Sequence, residues 1–214
     1  MRVVYIGFLK TASRSICKFC KDILGYEMYQ GNQANLHGSD TDIIFDDFVI
    51  DGNDMRTCFH DGHVKNKDIY NFIDKHENLI TKEFPYFGMY EHIYNKYEDS
   101  KFIICLRDPD EAFNSYMNFM NMYSPTQAFK IHRALLGVNT YISESDRDLF
   151  KGIYVEHNKK ILDFFEDKPC KLLVLNFDEI ESGIFEEKIS SFLGKENTNG
   201  LKLDNLKRRS AYIN

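Results

Sequence analysis

The chain has 214 residues, of which 43% are apolar and 14% aromatic, and its formal net charge is −6. We predict a single domain over residues 1–214, and the acidic balance argues against general binding to nucleic acid or to an anionic membrane surface, so an anion site has to be a local basic pocket. No apolar run approaches the length of a membrane span, and the first strand begins almost at Met1, which leaves no room for a signal peptide, so we expect a cytoplasmic protein.

The first predicted elements are a strand, a phosphate-sized loop and the start of a helix. Apolar residues 3–6 end at Gly7, and residues 16–24 have the apolar pattern of a helix. A loop in this position directs backbone N–H groups and the positive end of the helix dipole at one point, which suits a phosphate. Lys10 adds a cation to this loop. The alternative is an ordinary polar turn before an N-capped helix.

The residue order of this loop carries more information than its composition. Lys-Thr-Ala-Ser-Arg-Ser at residues 10–15 resembles the 5′-phosphosulfate loop of the sulfotransferases, which is usually Lys-Thr/Ser-Gly-Thr-x-Ser after the first strand. The triphosphate-binding loop of kinases instead has a glycine directly before its lysine. Ala12 replaces the usual glycine of the sulfotransferase loop and keeps the loop tight. The resemblance implies that the 5′ end of a nucleotide binds to Lys10, Thr11, Ala12, Ser13, Arg14 and Ser15.

The first helix also contains the spacing of a redox or zinc motif. Cys17 and Cys20 form a C-x-x-C pair, and the chain has five cysteines in all. Both residues fall inside the predicted helix rather than before it, and no second pair follows. We therefore predict buried, reduced thiols that serve the packing.

The next part of the chain carries polar loops and possible metal ligands. Residues 26–39 predict a loop, and residues 41–49 predict a short helix. His60, Asp61 and His63 then follow on one stretch. Three candidate ligands without a fourth elsewhere favour solvated loop histidines, and we predict no metal site.

A helix over 68–76, a strand over 78–83 and a helix over 89–97 are predicted next. Ligands of open α/β sheets bind beyond the carboxyl ends of the strands, and Glu83 is at such an end. Glu83 is therefore a candidate for the site, the alternative being an ordinary surface glutamate.

A second anion element follows the buried strand predicted over 101–106. This strand ends in an Arg-Asp-Pro motif that begins at Arg107, and the following helix carries Ser115. A strand-terminal arginine and a serine about two turns later can converge on one anion. The pattern resembles the 3′-phosphate element of the sulfotransferases. The alternative is that Arg107 pairs with Asp108 or Asp110 at the helix start.

The late part of the chain predicts helices over 125–136 and 146–165, a strand over 171–177 and a helix over 181–193 that ends at Gly194. These late elements also resemble the sulfotransferase family, so the similarity extends over most of the chain.

The C-terminal tail contains a basic cluster that includes Lys207 and Arg208. Sulfotransferases often complete the 3′-phosphate pocket with a basic loop that includes a glycine, and this tail has none. A contact with the nucleotide and a solvated basic tail are both consistent with these residues.

Short strands alternating with helices predict a three-layer α/β/α fold with a central, mostly parallel sheet, of the P-loop NTPase-like type, and place the two anion elements at adjacent strand ends. The resemblance implies sulfuryl transfer from 3′-phosphoadenosine 5′-phosphosulfate to a hydroxyl or amine of a small-molecule or glycan acceptor, without a metal. Lys10 would bind the leaving phosphate oxygen, and a general base, Glu83 or as second choice His63, would take the acceptor proton.

Two other functions fit the same fold. A P-loop kinase acting on a small molecule would use Thr11 to hold magnesium, but the early position of Lys10 and the pair formed by Arg107 and Ser115 count against it. A non-catalytic nucleotide-binding protein would keep the pocket and lack the base, and turnover distinguishes it from an enzyme.

Overall fold

A computed structural model of the chain describes residues 1–30, 73–82, 88–122 and 142–195. Within these ranges the strands are β1 (Arg2–Tyr5), β2 (Glu27–Gln30), β3 (Leu79–Lys82), β4 (Lys101–Leu106) and β5 (Leu172–Asn176). The helices of the same ranges are α1 (Ser13–Asp22), α2 (Tyr90–Lys96), α3 (Pro109–Met122), α4 (Arg147–Phe165), α5 (Phe177–Ser182) and α6 (Phe185–Leu193).

The five strands form one parallel sheet in the order β2-β3-β1-β4-β5. In this sheet Val4 of β1 lies opposite Thr81 of β3 on one side and Phe102 of β4 on the other. The predicted parallel sheet is confirmed. Because β1 and β4 are neighbours, the segments that follow them leave the sheet at the same edge, as predicted.

Side chains alternate between the two faces of the sheet and build two core clusters. On one face Val4, Phe102 and Ile104 pack with residues of α2, α3 and α4. On the other face Tyr5 and Ile103 pack with residues of α1 and α6. Helices therefore cover both faces, and the three-layer α/β/α architecture of the P-loop NTPase-like type is confirmed.

Two predictions about elements are wrong. Residues 27–30, predicted as part of a loop, form β2 at the edge of the sheet. An edge strand is bonded on one side only and does not need the apolar run by which buried strands are identified. The helix predicted over 181–193 is divided into α5 and α6 because Gly183 adopts a φ of 81°, which interrupts helical geometry.

The C-x-x-C pair is structural, as predicted. Cys17 and Cys20 are buried on α1 and form no disulfide. Burial is the main cause that raises the pKa of the Cys20 thiol to about 12, so this thiol stays protonated and unreactive at neutral pH.

Some predicted elements lie outside the described residues, namely the helices over 41–49 and 125–136 and most of the helix over 68–76. In the described ranges, no helix combines the length and the apolar character needed to cross a membrane. Those ranges also hold no group of three or more metal-ligating side chains, while His60, Asp61 and His63 are not among them.

Candidate functional site

Side chains of helix α4 bind the backbone at the ends of strands β1 and β4. The Tyr154 hydroxyl accepts a hydrogen bond from the N–H of Arg107 and donates one to the carbonyl of the same residue, each at 2.9 Å. One turn later Nε2–H of the buried His157 donates to the Ile6 carbonyl at 2.9 Å. Burial raises the pKa of Tyr154, so its hydroxyl remains available as a donor. The segments that follow β1 and β4 therefore begin at backbone positions that α4 holds in place.

The loop after β1 has an unusual backbone. Lys10 and Ala12 both have a φ of 65°, in the left-handed region that favours glycine. A residue with a Cβ atom adopts this region at a cost of about 1 kcal/mol or more. Ala12 occupies the position at which the sulfotransferase pattern has glycine, and the structure shows that this position does require a left-handed backbone.

Thr11 lies between these two residues and is fully buried. Its hydroxyl donates to the carbonyl of Phe8 and contacts the hydroxyl of Tyr5 at 2.7 Å. The Thr11 hydroxyl is therefore hydrogen-bonded inside the protein. For a ligand, Thr11 offers its backbone N–H.

The start of α1 provides a set of backbone donors. Ala12 is the N-cap residue and supplies no side-chain cap, and the first turn contains no acidic residue. The first helical hydrogen bond of this end runs from the N–H of Ile16 to the Ala12 carbonyl, at 3.1 Å. The N–H groups of Ser13, Arg14 and Ser15 precede it, and within the described residues they have no protein acceptor. These groups and the helix dipole favour an anion.

The guanidinium of Arg107 is held by three contacts at the end of β4. Its Nη1 donates to the carbonyl of Lys10 at 3.2 Å, and its Nε lies 3.4 Å from a carboxylate oxygen of Glu111. Its central carbon lies 3.9 Å from the centroid of the Phe177 ring. The contact with Lys10 joins the two predicted anion elements directly.

The acidic residues predicted as alternative partners of Arg107 have other roles. Asp108 caps α3 by accepting from the N–H groups of Asp110 and Glu111 at 2.9 and 3.0 Å. Asp110 binds Lys151 at 2.6 Å and Arg147 at 3.0 Å, and these bonds, that of Lys151 first, lower the pKa of its carboxyl. The alternative is therefore wrong about Asp108 and Asp110, because the carboxylate beside Arg107 is that of Glu111.

A cavity of about 310 Å³ opens between the loop after β1 and helix α3. The Lys10 ammonium lies 4.6 Å from the centroid of the Phe119 ring at this cavity. The cavity is lined by Lys10, Arg107, Glu111, Asn114, Ser115, Asn118 and Phe119. Three of the predicted site residues, Lys10, Arg107 and Ser115, thus share one cavity, whereas Ser13, Arg14 and Ser15 do not line it.

The lining has the chemistry of an anion site. Lys10 and Arg107 contribute two cations, and the serine and asparagine side chains add neutral donors. Among the described residues of the lining Glu111 is the one carboxylate, and it is 61% exposed, so solvent screens much of its charge.

Sequence reasoning missed several residues of the site. Glu111, Asn118 and Phe119 lie on α3 at helical spacing from Ser115, so the period of 3.6 residues was a signal that could have identified them. Tyr5 contacts Thr11 and Phe177 contacts Arg107, and the sequence carries no local signal for these two contacts.

Four predicted residues lie outside the described residues: Glu83, His63, Lys207 and Arg208. Strand β3 ends at Lys82, directly before Glu83. Their roles stay predictions.

A family model for the sulfotransferase domain matches residues 2–211. No curated protein matches the chain. Among solved structures, a sulfotransferase from Alicyclobacillus acidocaldarius has 16% identity and a TM-score of 0.48, with 98% of this chain and 90% of that chain covered. A deoxyadenosine kinase from M. mycoides with bound dATP has 13% identity and a TM-score of 0.43, with 88% and 100% covered.

Proposed function

The chain belongs to the sulfotransferase family, and we propose that it transfers the sulfuryl group of 3′-phosphoadenosine 5′-phosphosulfate to a hydroxyl or amine acceptor. That the protein is a sulfotransferase enzyme follows from the family match over residues 2–211. The donor, the acceptor class and the roles of single residues are the proposal.

One observation carries the choice of donor. The guanidinium of Arg107 donates to the carbonyl of Lys10, and both residues share a cavity with Ser115. A donor with phosphates at both its 5′ and 3′ positions needs two anion subsites within the length of one nucleotide. The segments that follow the neighbouring strands β1 and β4 contribute Lys10, Arg107 and Ser115 to one cavity, and this supports a donor with two anionic groups.

We assign a separate set of residues to each end of the donor. The backbone N–H groups of residues 11–15 and the Lys10 ammonium bind the 5′-phosphosulfate, and Lys10 stabilises the charge that develops on the leaving phosphate oxygen. Arg107 and Ser115 bind the 3′-phosphate and so distinguish this donor from simple adenylates.

The reaction itself is an exchange of one sulfur–oxygen bond for another bond to sulfur. The acceptor oxygen or nitrogen attacks sulfur, the bond from sulfur to the 5′-phosphate oxygen breaks, and adenosine 3′,5′-bisphosphate leaves. A general base takes the acceptor proton, and we assign this role to Glu83, with His63 as the second choice. A small molecule or a glycan is the proposed acceptor, the tail residues Lys207 and Arg208 are candidate contacts of the 3′-phosphate, and the proposed location is the cytoplasm.

Substitution of Lys10 tests this function. With a ³⁵S-labelled donor and pools of phenols, alcohols, amines and sugars, Lys10→Met should lower kcat by about 100-fold or more, because it removes the charge that stabilises the leaving group. Lys18→Met is the matched control, since Lys18 is exposed on α1 and pairs with Asp22. Its kcat should equal that of the unsubstituted protein.

The same assay separates the alternatives. Transfer from γ-labelled ATP with magnesium, without transfer from the sulfur donor, would contradict the proposal in favour of a kinase. Binding of the donor without turnover of any acceptor pool would instead favour a nucleotide-binding protein without catalytic activity.

A further inference from the structure

A buried tyrosine lies beneath the loop that follows β1. Tyr5 is the last residue of β1 and is 0% exposed, in the core cluster between the sheet and α1. Its hydroxyl donates to the carbonyl of Thr11 and lies 2.7 Å from the Thr11 hydroxyl. The proton of the Thr11 hydroxyl is committed to the carbonyl of Phe8. A tyrosine hydroxyl has one proton, so Tyr5 donates to the Thr11 carbonyl, and its contact with the Thr11 hydroxyl is not a second donated bond.

The space for this hydroxyl depends on Gly7. A Cβ atom at Gly7 would lie 2.4 Å from the Tyr5 hydroxyl oxygen and 2.9 Å from the Thr11 hydroxyl oxygen. Both side chains are fully buried and have no room to move aside. Gly7, Tyr5 and Thr11 thus form one packed unit below the loop.

Thr11, the loop residue to which Tyr5 is hydrogen-bonded, lies between two residues with a left-handed backbone. Thr11 is flanked by Lys10 and Ala12, each with a φ of 65°. Neither position carries the glycine that would adopt this conformation without cost. The loop therefore needs contacts elsewhere that hold its backbone, and the hydrogen bonds to Thr11 are such contacts.

We propose that Tyr5 is a positioning residue for the anion loop, which it holds through Thr11 in the conformation that directs the N–H groups of residues 11–15 at the 5′-phosphosulfate. This inference rests on the proposed function. It deepens that function because Tyr5 does not touch the ligand and acts through the loop. The hydrogen bond from the Tyr5 hydroxyl stabilises a left-handed backbone that a glycine at position 12 would adopt without cost.

Ionisation does not limit this role. Burial, and after it the nearby Cys105 thiol, raises the pKa of Tyr5 well above its ordinary value. The hydroxyl therefore stays protonated and able to donate at every pH at which the enzyme is assayed. Loss of the hydroxyl should change the affinity for the donor without moving the pH profile.

The first test compares two isosteric substitutions. Tyr5→Phe removes the hydroxyl below the loop, whereas Tyr26→Phe is the matched control, because Tyr26 lies in the same core cluster and its buried hydroxyl has no hydrogen-bond partner among the described residues. We expect Tyr5→Phe to weaken binding of adenosine 3′,5′-bisphosphate by about five- to thirtyfold and to raise the KM for the donor more than it lowers kcat. Tyr26→Phe should leave both unchanged.

The second test is rescue by glycine. Ala12→Gly removes the cost of the left-handed backbone, so in the Tyr5→Phe protein it should restore affinity to within about threefold of the original. If Tyr5→Phe does not fold, Thr11→Val takes its place, because it removes the hydroxyl that connects Tyr5 with Phe8. A Tyr5→Phe protein that binds as tightly as Tyr26→Phe, or a double variant without rescue, would overturn the proposal.

Failure of the proposed function gives a different result. In that case the unsubstituted protein does not bind the bisphosphate at all. The same proteins are then titrated with inorganic phosphate as the probe of the loop, and thermal stabilisation by phosphate is the readout. Stabilisation that Tyr5→Phe loses and Ala12→Gly restores supports the positioning role without the donor, and equal stabilisation of all the variants overturns it.

Discussion

Glu111 places a carboxylate in a cavity to which the described part of the chain otherwise contributes the charged groups of Lys10 and Arg107. Its oxygen lies 3.4 Å from Nε of Arg107. A bound phosphate and this carboxylate compete for the same guanidinium and repel each other. We therefore expect Glu111 to weaken donor binding, and its exposure keeps the effect small.

Glu111→Gln should bind adenosine 3′,5′-bisphosphate about two- to fivefold more tightly than the unsubstituted protein, because the competing charge is gone. Calorimetric titration at low and at physiological salt measures the change, and the gain should shrink as salt increases. The control is Glu187→Gln, which removes the same charge from an exposed site on α6. Weaker binding by Glu111→Gln would show that Glu111 instead holds Arg107 in place for the ligand.

The residues of the site differ in how far the sequence could predict them. Lys10, Arg107 and Ser115 were predictable because their chemistry and their places after strands both point to an anion, and the structure brings them into one cavity. The inward direction of the Thr11 hydroxyl was not predictable, since it depends on the space that Gly7 leaves for Tyr5. A residue type gives the possible hydrogen bonds, and packing decides which are made.

At the scale of elements, α4 is the support of the site. It carries Tyr154 and His157, which bind the backbone at the ends of β4 and β1. Its N-terminal end is fixed to α3 through the bonds from Arg147 and Lys151 to Asp110. The position of the loop after β1 relative to α3, between which the cavity opens, therefore depends on the stability of α4.

Gly152 is a weak point in the interior of α4. It is exposed, and a Cβ atom at this position would meet none of the described residues within 4 Å. Gly152→Ala should stabilise the protein by about 0.5–1 kcal/mol, which raises the Tm by roughly 1–4 °C. Activity should not change, because the residue touches no part of the site.

Gly194→Ala serves as the opposite control for this prediction. Gly194 ends α6 with a φ of 65°, so a Cβ atom there is strained even though it would meet none of the described residues within 4 Å. We expect this variant to lose about 1 kcal/mol of stability. Thermal unfolding of the two variants in parallel measures both effects, and a lower Tm for Gly152→Ala would contradict the account of α4.

The elements that sequence patterns predicted best are those with one dominant cause. Strand β4 is a continuous apolar run because both of its faces are buried, and α4 shows a long apolar period. Strand β2 was missed because it pairs with β3 through backbone hydrogen bonds at the edge of the sheet, and such pairing does not require an apolar sequence pattern. The break at Gly183 was missed because a single glycine inside a helical pattern is compatible with either outcome.

For the whole molecule, the sheet order explains how an acidic protein can contain a local cationic cavity that suits the proposed donor. The net charge is −6, yet β1 and β4 lie side by side and present Lys10 and Arg107 to the same cavity. The electrostatic field at the cavity is thus set by nearby cations, and the overall charge gives no general attraction for anions. Binding should depend on the two positions of phosphate on the nucleotide more than on its total charge.

The most direct test of this account is calorimetric titration with adenosine 3′,5′-bisphosphate, AMP and ATP–magnesium. The unsubstituted protein should bind the bisphosphate about 10- to 100-fold more tightly than AMP, because in the proposed site Arg107 and Ser115 form charge-assisted bonds with the 3′-phosphate. Arg107→Ala should reduce the affinity for the bisphosphate to that for AMP and leave AMP binding within about twofold of its original value.

Lys159→Ala is the control in this experiment, because it removes one positive charge from a side chain on α4 that is 72% exposed. It should bind all the nucleotides as the unsubstituted protein does. Preference for the bisphosphate that Arg107→Ala abolishes is the result we predict. Preference for ATP–magnesium, or equal binding of the bisphosphate and AMP, would contradict the assignment of the donor site.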